Sequence, residues 1–139
     1  MALLNILQQA DLSILFLINH QLANPIFDII FKFIHYFTYL FLGLLVLYFV
    51  FKKKNPIVLL LIIALIVNFL AVSIMKTTVG RERPYQILDV RHLVEDDDNT
   101  SFPSRHVQLS FAAATIIFSF YRRFGSLLFL LSLLIGIGR

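Results

Sequence analysis

The sequence predicts an all-α integral membrane bundle, and three observations lead there. Hydrophobic residues fill 59% of the 139 positions and charged residues only 14%, against roughly 45–50% and 25% in soluble domains; the mean hydropathy is +0.85. The apolar residues gather in long runs over 36–51, 57–75, 107–121 and 124–138. Cations stand at the ends of those runs, at Lys52-Lys53-Lys54 and Arg122-Arg123, where membrane proteins carry their topology signals.

Residues 1–23 are predicted as a helix lying in the membrane interface. Ile6, Leu7, Ile14, Leu15, Leu17 and Ile18 recur at roughly helical spacing, but Gln8, Gln9, Asp11, Asn19, His20 and Gln21 make the segment too polar for a lipid-buried span. Asn24-Pro25 ends it, because proline disfavours helix in the residue before it and starts a new helix well. The first membrane helix is expected over 26–51. Asp28, Lys32 and His35 place its first turns at headgroup depth, and Tyr36 to Phe51 carries no charge. A second covers 57–76, with Asn68 and Ser73 as its strongly polar residues before Lys76. The polar loop 77–103 follows, with the acidic run Glu95-Asp96-Asp97-Asp98 read as solvated. A third membrane helix over 104–121 carries Gln108, Ser110, Thr115 and Ser119 at helical spacing, a face expected to meet neighbouring helices. The last, over 124–139, is incomplete. The lysine triplet and the arginine pair are two spans apart, so both fall on one side, cytoplasmic by the positive-inside rule, and the 77–103 loop is extracytoplasmic.

Composition also removes several chemistries. With no cysteine there is no disulfide, thiolate metal site or cysteine nucleophile. The net charge of +4 is dispersed rather than gathered in one patch, which argues against nucleic acid as a partner. The start of the chain lacks the basic segment of a signal peptide. The 15 Phe and 5 Tyr suit lipid-facing and core packing. No internal repeat is present, and no cofactor or metal is expected.

The chemistry concentrates between residues 76 and 106. Lys76 and Arg83-Pro84 open the polar loop, and Pro103-Ser104-Arg105-His106 closes it. Taken singly, Lys76 and Arg83 read as interfacial cations with snorkelling side chains. Together with a serine at a helix start they are the components of a phosphate clamp, since fixed cations and free helix amides hold negative charge. His106, on the first helical turn, is placed to protonate a leaving alkoxide as a general acid. Arg81 reads as a loop charge, and Asp11 and Asp28 as interfacial or capping residues.

Lys76-x6-Arg83-Pro84 followed by Pro103-Ser104-x-His106 resembles the first two signatures of the type 2 phosphatidic-acid phosphatase family, within the vanadium haloperoxidase-like superfamily. The first signature, K-x6-R-P, is matched in full; the second, P-S-G-H, at three positions of four, with Arg105 in place of glycine. That arginine either narrows access for phosphate or adds a cation. Of the third, S-R-x5-H-x3-D, only Gly138-Arg139 is present, with glycine where serine usually stands. The resemblance implies metal-free hydrolysis through a phosphohistidine. Lys76, Arg83, Ser104, Arg105 and Arg139 bind phosphate, and His106 is the general acid. The nucleophilic histidine and its aspartate belong to the third signature, so these 139 residues are expected to be a fragment that does not turn over alone. The implied substrate is a membrane lipid phosphate or a polyprenyl pyrophosphate, such as the undecaprenyl carrier of bacterial wall synthesis. A non-catalytic binder of lipid headgroups and a phosphotransferase on the same scaffold are the alternatives.

Overall fold

The structure, a computed structural model, describes residues 2–21, 23–91, 93 and 100–138. Helix α1 (Ala2–Phe16) runs into one turn of π-helix (Leu17–Gln21); then come α2 (Pro25–Phe51), α3 (Asn55–Val79), the single turn α4 (Pro84–Ile87), α5 (Arg105–Phe120) and α6 (Arg122–Ile137). Among the described residues there is no strand, only an isolated antiparallel bridge between Glu82 and Thr100. The protein is a helical membrane bundle. His92, the acidic run from Glu95 to Asp98 and Arg139 lie outside the described residues.

Local chemistry sets the element boundaries. Asn24 caps α2 by accepting from the Phe27 amide at 2.9 Å, with Pro25 at the first helical position. The α2–α3 turn is tight. Lys54 donates to the Phe49 carbonyl and Lys53 to that of Val50, which leaves Lys53 at φ 54 in the left-handed region. At the other end of α3, Gly80 takes the same conformation (φ 57) and donates to the Lys76 carbonyl, a position that favours glycine.

Helices α2 and α3 have 27 and 25 residues and are apolar enough to cross a membrane. At about 1.5 Å per residue each exceeds the roughly 30 Å of bilayer hydrocarbon. Their large apolar side chains are mostly exposed, including Leu40, Ile66 and Leu70, as expected of residues that face lipid. Helices α5 and α6, with 16 residues each, form a hairpin that packs against this pair.

The core joins Leu42, Leu45 and Phe49 of α2 to Ile57 and Leu61 of α3, Leu109, Ala113, Ala114 and Ile117 of α5, and Leu128 of α6. The side of α5 that meets its neighbours is therefore built on Ser110, Ala113, Ala114 and Ile117. Thr115 and Ser119, expected on that face, are exposed and donate back to the Phe111 and Thr115 carbonyls. Small residues win the packed face because, without a hydrophobic drive between helices in lipid, close contact carries the association. The ring of Phe49 stacks on Tyr121 at 5.9 Å, bringing the α2–α3 and α5–α6 turns to the same end of the bundle. Both basic clusters are there, and the polar segment lies at the opposite end.

Candidate functional site

Backbone pairing closes the polar segment on itself. Beside the Glu82–Thr100 bridge, the Ser101 amide donates to the Arg81 carbonyl at 2.8 Å, and the Ser101 hydroxyl reaches the Arg81 and Glu82 carbonyls. From the last turn of α3, Lys76 Nζ donates to the Thr100 carbonyl at 2.7 Å and approaches its hydroxyl at 3.4 Å. The segment that opens with Lys76 and Arg83 is thereby joined to the one that closes with Ser104 and His106.

Lys76, Arg83 and His106 are all buried, at 6, 8 and 6% exposure. Arg83 precedes α4, where its amide donates to the Gln86 side chain and Pro84 starts the turn. Ser104 is the residue before the first turn of α5; its Oγ is buried without a hydrogen-bond partner among the described residues. Arg105 is half-buried, its guanidinium 5.3 Å above the Phe69 ring of α3, so in place of a small glycine it adds a packed cation. Removing cations from water is expensive unless something negative or polar compensates. Lys76 is compensated in part by the Thr100 carbonyl, and the amides at the start of α5 carry partial positive charge at the same end of the bundle.

Two α2 residues absent from the motif reading complete the surroundings of His106. The His35 ring lies 4.7 Å from it and the Tyr39 ring 4.5 Å. They are one helical turn apart, so they share a face. The available signal was Asp28, Lys32 and His35 at i, i+4 and i+7 on an otherwise apolar helix; it was read as headgroup contact.

A cavity of about 220 Å³ opens beside this cluster, its walls including Arg83, Tyr85, His35, Phe27, Phe31 and Ile18. Of the sequence-predicted site residues, Arg83 reaches the cavity, whereas Lys76, Ser104, Arg105 and His106 are not among its lining residues. Two polar clasps hold the N-terminal helix to this region. Arg81 pairs with Asp11 at 2.6 Å. Asn19 both donates to the Arg91 carbonyl and accepts from its amide, while the Arg91 guanidinium pairs with Asp28 in the first turn of α2.

A family model described as the PAP2 superfamily matches residues 56–139. The bacitracin transport permease protein BcrC of Bacillus licheniformis is 31% identical over 122 residues, which cover 86% of this chain and 59% of that protein. The chain thus spans under two thirds of the length of this relative. No solved structure gives a significant match. With a family match running over more than half its length, from the start of α3 through both signatures, the chain belongs to the PAP2 superfamily.

Proposed function

We propose that this sequence forms the phosphate-binding part of a multi-pass membrane phosphatase acting on lipid phosphates or polyprenyl pyrophosphates from the extracytoplasmic side. The observation that carries the reading is the closure of the polar segment. It buries Lys76, Arg83 and His106 at one end of a bundle whose basic turns lie at the other. Family membership supports a phosphatase-type activity.

In this reading Lys76, Arg83, Ser104, Arg105 and Arg139 stabilise the phosphoryl oxygens. A histidine of the third signature attacks phosphorus as the bond to the leaving oxygen breaks. His106 gives that oxygen its proton. Water then cleaves the phosphorus–nitrogen bond and releases phosphate. Placing the basic turns in the cytoplasm follows the positive-inside rule and sets the site outside.

Phosphate release provides the test. A chain continued through an H-x3-D sequence should hydrolyse a prenyl diphosphate in the presence of chelator. The 139 residues alone should not, since loss of a nucleophile commonly removes several orders of magnitude of rate. Arg83→Ala in the longer chain should abolish most turnover. Intact cells should also hydrolyse a phosphate ester that cannot cross the membrane. Turnover by the 139 residues would overturn the role of the third signature, and activity seen only after permeabilisation would overturn the placement.

A further inference from the structure

Among the described residues, His35 is the histidine that reaches the cavity. It is half-buried on α2, with its ring against that of His106. His106 itself is 6% exposed and absent from the cavity wall, while Lys76 is directed at Thr100. Arg83 and His35 meet the cavity contents together with Arg91, Asn19, Ser101, Tyr85 and the Asp28 carboxylate, which is paired with Arg91. The apolar part of the wall comes from Phe27 and Phe31 of α2, Ile18 of the π-helical turn and Ile137 at the end of α6.

Resting on the phosphatase reading, we infer that His35 is a ligand-contacting residue of the phosphate site, paired with Arg83, and that the ester's apolar chain begins against Phe27, Phe31, Ile18 and Ile137. Arginine and imidazole N–H groups are strong donors to phosphate oxygens. The cavity, about 220 Å³, is smaller than the roughly 300–1,000 Å³ of sites that enclose a whole small molecule. It therefore takes a head and the first carbons of a chain, with the remainder in the bilayer. The ligand class is a phosphate monoester or diphosphate on a single flexible apolar chain.

Calorimetric titration of the 139-residue protein in detergent tests this, with inorganic phosphate and farnesyl phosphate as probes. His35→Gln and Arg83→Ala should each weaken phosphate binding about tenfold or more, the effect of losing a hydrogen bond to a charged group. Farnesyl phosphate should bind at least about tenfold tighter than inorganic phosphate, because burying a few methylenes suffices for that. In ¹⁵N-histidine spectra, phosphate should move the His35 signals and leave those of exposed His20 in place, a readout that stands if His35→Gln fails to fold. Loss of binding in Arg83→Ala alone, with His35 signals unmoved, would overturn the role of His35 and leave the site. Unchanged binding in both variants would overturn the site itself. Equal affinity for the two probes would overturn the placement of the chain.

Discussion

Lys76 ends its helix with an ammonium 2.7 Å from the Thr100 carbonyl, in a side chain 6% exposed. That contact spans 24 residues of sequence and fastens the start of the polar segment to its end. Lys76→Met would leave a carbonyl without its donor, at about 1–3 kcal/mol for an unsatisfied buried group. The variant should melt at lower temperature with no phosphate present, and residues 100–106 should exchange amide hydrogens faster. Unchanged stability and exchange would mean that the contact with Thr100 does not fasten the segment. The two signatures singled out Lys76, Arg83 and His106, all of which are buried, but the expectation that they face one pocket with Ser104 is met by Arg83 alone in the cavity wall. The neighbourhood of His35 was not legible. It depends on the register of α2 against α5, and nothing in the apolar sequence of α2 fixes that register.

Helices α5 and α6 turn on Tyr121, and Gly125 of α6 lies against the Phe118 backbone of α5. A Cβ there would lie 2.3 Å from the Phe118 Cα and 2.5 Å from its Cβ. Because the obstacle is backbone, a side chain at this position forces the hairpin apart. Gly125→Ala should cost about 1–3 kcal/mol, the usual range for overpacking, and lower the melting temperature in detergent; an unchanged melting temperature would mean the helices do not meet there. Most helices were readable from apolar runs and from Asn24-Pro25. The one-turn helix α4 was not, since four residues, Pro84–Ile87, carry no periodicity. Of the polar face expected on α5 to meet its neighbours, Ser110 is buried but Thr115 and Ser119 are not. The exposed Thr115 and Ser119 instead bond to their own helix, a common alternative for these residues.

At the scale of the whole molecule, the bundle separates two kinds of charge. The basic turns flank one end, held together by Phe49 against Tyr121, and the buried cations stand at the other, where the polar segment folds back. All-α membrane architecture was legible from composition, the long apolar runs and the cations at their ends, whereas the closure of the segment rests on backbone pairing between Arg81-Glu82 and Thr100-Ser101, which no side-chain pattern announces. Opposed residues of an antiparallel bridge hold their Cβ atoms about 4.5–5.5 Å apart, within reach of a disulfide after slight adjustment. The chain has no cysteine of its own, so Glu82→Cys with Thr100→Cys gives an unambiguous cross-link. Under mild oxidation the pair should close within one chain, and the cross-linked protein should still bind inorganic phosphate. Failure to cross-link, or a cross-linked protein that no longer binds, would contradict a phosphate site formed by the joined ends of this segment.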